Sequence, residues 1–110
     1  SEQKNAITLL KNIIQEIKKP IILMGDFNMT PDNYLIKEIS TLLNDTANKF
    51  KKTLLSFPSI NPRIKIDYIF ISNEIELIEA DIPQIVASDH FPYYAKIKIW
   101  PYLGHFFILL

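Results

Sequence analysis

Cysteine is absent from this 110-residue chain, which excludes disulfides and thiolate metal sites, so any metal ion must be held by oxygen or imidazole donors. Glycine occurs only at Gly25 and Gly104, too sparsely for a glycine-rich loop that cradles phosphate. No charge of one sign is in surplus: twelve Lys and Arg balance twelve Asp and Glu. No overall field therefore draws the chain to a polyanion, and contact with one would rest on a local patch. Long apolar runs are also missing. The longest uncharged one, Trp100 to Leu110, is about half of the roughly 20 residues a membrane-spanning helix needs. The chain opens Ser-Glu-Gln-Lys-Asn, with no basic stretch ahead of an apolar one, so no secretory signal is visible. No transmembrane segment is expected, and the expected compartment is the cytoplasm.

What is present suits one domain with one core, since 48% of the residues are hydrophobic. Ile7, Leu10, Ile14 and Ile17 recur at spacings of three and four between lysines and glutamines, which predicts an amphipathic helix over residues 3–18, ended by Pro20. Pro20 to Met24 is a short unbroken apolar run and predicts a strand buried on both faces, stopping at Gly25. Thr30-Pro31-Asp32 predicts a second helix, with Thr30 as its cap and Pro31 at its first position, running to about Leu43. The polar stretch Thr46 to Lys52 reads as a loop. Thr53–Phe57, Ile66–Ile71, Ile75–Glu79 and Tyr93–Trp100 then read as strands between turns bearing Pro and Asn. The class is α/β (α+β), with two helices and a largely antiparallel sheet.

Three polar clusters interrupt these strands: Gly25-Asp26-Phe27-Asn28, Asp67 within Lys65 to Ile71, and Ser88-Asp89-His90-Phe91-Pro92. Strand alternation places Asp67 on one face with Ile69 and Ile71. A carboxylate there needs a partner, because an uncompensated buried charge costs roughly 3–5 kcal/mol. His90 is the well-placed candidate; His105, in the apolar tail, is assigned no role. Asp26 and Asn28 follow the carboxyl end of one strand, while Asp67 and His90 stand at the amino ends of two others. Antiparallel running therefore gathers them at one edge. Carboxylates there can bind a hard cation or orient water, an amide can bond a phosphoryl oxygen, and an imidazole can stabilise growing negative charge. That inventory suits metal-assisted phosphoester hydrolysis. Taken singly, each cluster has an ordinary structural explanation as a turn, a cap or an edge residue in water.

In this order, strand-Gly-Asp-Phe-Asn-x-x-Pro-Asp, then Phe57-Pro58, Ile66-Asp67-Tyr68-Ile69-Phe70 and Ser88-Asp89-His90-x-Pro92, the motifs resemble the endonuclease/exonuclease/phosphatase superfamily, the deoxyribonuclease I-like fold. The resemblance implies half of a four-layer αββα sandwich. It makes residues 1–100 the C-terminal part of such a domain and residues 101–110 an apolar tail that fits no family pattern. It also implies a divalent cation, Mg²⁺ or Mn²⁺, assisting in-line attack of water on a phosphoester. Asp26 would orient or deprotonate that water, Asn28 would hold it or a phosphoryl oxygen, and His90 would bind the phosphate while Asp67 fixes its tautomer. Asp89 and Asp26 would stand at the metal.

The family's N-terminal half supplies a strand ending in Asn and a metal-binding Glu, and nothing before Asp26 resembles them. The expectation is therefore a phosphodiesterase, nuclease or phosphatase lacking part of its site and partnered by an N-terminal half, or else an inactive truncated remnant. Half a sandwich is also expected to expose the apolar faces of Ile21–Leu23 and Ile69–Ile71. A third possibility is a peripheral module that meets an anionic surface through the tail and Lys49, Lys51 and Lys52. The phosphoester substrate could be nucleic acid, phospholipid or a small molecule.

Overall fold

The computed structural model of the chain describes residues 2–50, 55–60, 64–86, 88–99 and 105–109. Helix α1 (Glu2–Glu16) turns Ile7 and Ile14 into the core with Leu10 packed beside them, as the three-and-four spacing requires. Strand β1 (Ile22–Asp26) runs on through Gly25, where the sequence predicts a stop. It lies at a sheet edge with exposed and half-buried residues alternating, rather than buried on both faces as expected, because no strand pairs with its outer side among the described residues. Helix α2 (Tyr34–Ser40) starts three residues later than the sequence predicts. Its cap is Asn33, whose side chain accepts the Leu35 amide, whereas the Thr30 hydroxyl bonds to Asp32. A two-residue strand, β2 (Asn44–Asp45), precedes the segment expected to be a loop from Thr46, and that segment begins as a 3₁₀ turn (Thr46–Phe50). Long-range partners impose this order: Asp45 meets Lys65, and the Thr46 hydroxyl meets the Tyr93 phenol at 2.7 Å.

Of the strand expected over 53–57, residues 53 and 54 lie outside the described residues, as do Lys51 and Lys52. Phe57 makes an isolated antiparallel bridge with Ile64. Strands β3 (Asp67–Ile71), β4 (Ile75–Asp81), β5 (Tyr94–Ile99) and β6 (His105–Leu109) complete the fold. Part of the expected tail is thus a strand, paired along β5 from Tyr94 to Lys98.

The strands form two antiparallel sheets, ordered β1-β3-β2 and β4-β5-β6. Alternation along β3 divides the core in two. Tyr68 and Phe70 meet α1 and α2, while Ile69 and Ile71 meet Ile75, Leu77, Ala95 and Ile97 of the second sheet. The described layers are therefore helices, sheet, sheet. In β4 the register slips between Leu77 and Glu79. That bulge lets Leu77 and Ala80, an odd number of residues apart, both turn inward.

The expected exposure of Ile69–Ile71 is not found: both isoleucines are buried, because β4 and β5 of the same chain cover them. Each such side chain contributes about 1.5–3 kcal/mol when fully buried. Of the two segments expected to be exposed, only that of β1, an edge strand, carries exposed side chains. Ile22 and Met24, cross-strand partners of Ile71 and Ile69, remain 38% and 45% exposed, while Ile21 and Leu23 pack partly against the helix-side core.

Candidate active site

Asp26 is the last residue of β1 and Asp67 the first of β3, and the two are paired in register. Cross-strand partners of an antiparallel pair share a face, about 4.5–5.5 Å apart at Cβ, so two carboxylates are set side by side at one end of the sheet. Like charges at that spacing repel unless a cation or proton stands between them. The loop Ser88–Pro92, just before β5, brings the His90 imidazole there. Its Nδ1 lies 2.7 Å from Asp67 Oδ2 and its Nε2 lies 3.6 Å from Asp26 Oδ2. One potential ligand atom from each of the three residues falls within 4.8 Å of the others. Together with Gly25, Ser88, Phe91 and Pro92 they line a cleft of about 450 Å³.

Local backbone shape sets the Asp26 carboxylate. Gly25 holds φ +155°, with nothing within 4 Å of where a Cβ would stand, so conformation rather than space calls for glycine. Asn28 sits at φ 52°, a left-handed conformation that Asn tolerates, and its N–H donates to Asp26 Oδ1 at 2.8 Å. Asp67 is buried, and its Oδ2 accepts from the Ser56 hydroxyl as well as facing His90 Nδ1. Partial burial pushes the His90 imidazole down. The hydrogen bond to Asp67 and the charges of Asp67, Asp26 and Asp89 outweigh it, and the net pKa is raised. The cationic imidazolium is favoured, which suits a group that meets an anion.

Asp26, Asp67 and His90 thus converge. Asn28 stands exposed beside Asp26, joined to it through the backbone. Asp89 is outside the three-residue group; it lines a neighbouring hollow of about 400 Å³ with Pro58, Ser59, Ile60, Val86 and Ser88. Sequence reasoning did not single out Ser56, Ser59 or Lys65. The first two flank the Phe57-Pro58 pair, and Lys65 stands two residues before Asp67, so proximity to motifs is the signal that could have found them. Lys65 is 4% exposed. Its ammonium lies 3.6 Å from Asp45 Oδ1, donates to the Asp67 carbonyl at 3.1 Å and stands 4.2 Å over the Tyr68 ring. Burial lowers its pKa, and the Asp45 carboxylate opposes that shift.

Among the described residues no helix is long and apolar enough to cross a membrane. Comparison with curated protein sequences gives no match. A crystal structure of an endonuclease/exonuclease/phosphatase from Bacteroides vulgatus is similar to this chain, with a TM-score of 0.75 and 23% identity. At that identity the likeness is one of fold. It covers 88% of this chain and 44% of the other, so this chain spans less than half the length of that neighbour. The model of the Endonuclease/Exonuclease/phosphatase family matches residues 1–90. With most of its length matched and its polar clusters gathered at one sheet edge, the chain belongs to the endonuclease/exonuclease/phosphatase family.

Proposed function

We propose that this chain carries the catalytic edge of a divalent-metal-dependent phosphoester hydrolase. The observation that supports it most is the His90 imidazole set between Asp26 and Asp67 at the end of the β1–β3 pair. The donor chemistry fits Mg²⁺ or Mn²⁺: Asp26 offers a carboxylate oxygen within 4.8 Å of ligand atoms of Asp67 and His90, and Asp89 a further carboxylate on the His90 loop. When bound, such an ion supplies charge stabilisation at a phosphoryl oxygen and a more acidic water. Asp26, half exposed at the cleft, orients the attacking water or takes its proton. Asn28 holds that water or a phosphoryl oxygen. His90, held through Nδ1 by Asp67, turns Nε2 toward the phosphate and stabilises its growing charge. Nucleic acid, phospholipid and small phosphoesters all fall within this substrate class.

A second reading is that a further N-terminal half of the fold completes the site, and the partly exposed Ile22 and Met24 of β1 support it. Ile22 and Met24 on the open face of β1 are where such a half would rest.

The test is hydrolysis of bis(p-nitrophenyl) phosphate during Mg²⁺ and Mn²⁺ titration, with thermal stability followed in parallel. Metal-dependent turnover, lost in both Asp26→Ala and His90→Ala by at least about 100-fold, is the expected result. Folded protein with neither turnover nor metal response sinks the self-sufficient enzyme and leaves the dependent half or an inactive remnant.

A further inference from the structure

Asp67 does not hold His90 alone. Ser56, fully buried at 0% exposure, donates its hydroxyl to Asp67 Oδ2 at 2.5 Å, and that same oxygen lies 2.7 Å from His90 Nδ1. The backbone of Ser56 is tied on both sides: its N–H donates to the Ile64 carbonyl at 3.1 Å, and its carbonyl accepts the Phe91 N–H at 2.8 Å. Three residues on, the Ser59 N–H donates to the Asp89 carbonyl at 2.7 Å and its hydroxyl to the Ser88 carbonyl at 2.5 Å. Between them the Phe57 ring lies 4.7 Å from the imidazole, tilted by 47°. Segment 56–59 is thereby fastened to the loop that carries His90 and, through one hydroxyl, to the carboxylate that orients it.

We propose that Ser56 is a positioning residue of this site, fixing the Asp67 carboxylate and, through it, the His90 imidazole. This inference rests on the role given above to the Asp67–His90 pair. The torsion that turns a carboxylate is broad and nearly two-fold, so one donor leaves the group free to swing. A second donor on the same oxygen sets its plane. Water cannot take the place of the hydroxyl without room, and Ser56 has none exposed. Removing the hydroxyl leaves a buried carboxylate short of a donor, which the structure answers by rotating the group away from Nδ1. Serine is small enough to reach Asp67 while Phe57 fills the space against His90.

The full chain, labelled with ¹⁵N and held free of metal and substrate, reports this through the His90 Nδ1 proton. In the native chain that proton is expected to be sharp and slow to exchange. Ser56→Ala should speed its exchange by about tenfold, the fold-change equivalent to one hydrogen bond to a charged group, and Ser56→Thr, which keeps the hydroxyl, should restore it. A folded Ser56→Ala chain with an unchanged Nδ1 proton overturns the proposal, as does failure of the threonine variant to restore the signal. If the alanine variant does not fold, Ser56→Cys decides, since it keeps the volume and donates weakly: faster exchange supports the proposal and unchanged exchange ends it. Because no turnover is read, a chain without hydrolytic activity still settles the role of Ser56. Where turnover is measurable, kcat should fall by about 10–100-fold with KM little changed.

Discussion

Replacing Lys65 by methionine removes a buried ammonium while keeping most of its volume, and leaves the Asp45 carboxylate, only 5% exposed, without its cation. Breaking a buried pair in this way costs about 3–5 kcal/mol. Asp45 keeps a donor in the Ala47 amide at 3.0 Å, which places the cost near the lower end of that range. The lost bond to the Asp67 carbonyl and the lost contact over Tyr68 push it back up, so about 3–4 kcal/mol is expected. At 4–8 °C per kcal/mol for a domain near this size, the midpoint of thermal unfolding should drop by roughly 12–32 °C. Urea unfolding checks it: the midpoint concentration should fall with the slope unchanged. Adding Asp45→Asn should recover about 1–2 kcal/mol, because the stranded charge is removed while an acceptor for Ala47 remains. A single substitution costing under about 1 kcal/mol, or a double variant no more stable than the single one, would refute this account of the pair.

The raised pKa of His90 carries a second prediction. A folded state that holds its proton more tightly than the ordinary pKa of 6.5 gains stability that is complete below that value and is lost as pH rises through the folded pKa. Urea unfolding of the metal-free chain should show stability falling with rising pH across that window, and His90→Gln should flatten the slope; an equal slope in the variant argues against it. Gly25→Ala should cost about 1–2 kcal/mol through backbone conformation alone, since nothing stands within 4 Å of the added methyl group. An unchanged urea midpoint would show that β1 accommodates alanine by relaxing its φ.

Local patterning was enough to read helix α1 and strands β1, β3, β4 and β5, because a period of three to four or an unbroken apolar run is decided by neighbours in the chain. It also placed Asp26, Asp67 and His90 at strand ends, and antiparallel running then implied that they meet. Pattern misplaced the start of α2, because Thr30, Asp32 and Asn33 all have capping chemistry and only the folded backbone chooses which oxygen the Leu35 amide meets. It missed β2 and read the stretch from Thr46 as a loop because the groups that organise the segment, Lys65 and Tyr93, are distant in sequence.

Composition, helix α1, strands β3, β4 and β5 and the placing of Asp26, Asp67 and His90 near strand ends belong to the sequence by itself, since each follows from residue type and spacing along the chain. Tertiary structure alone decided that Ile69 and Ile71 are covered by this chain's own second sheet while Ile22 and Met24 are not. It alone brought a buried serine onto the Asp67 oxygen that meets His90. Which face a sheet buries, and which hydroxyl a carboxylate meets, depend on how separate segments pack, and packing has no period along the chain.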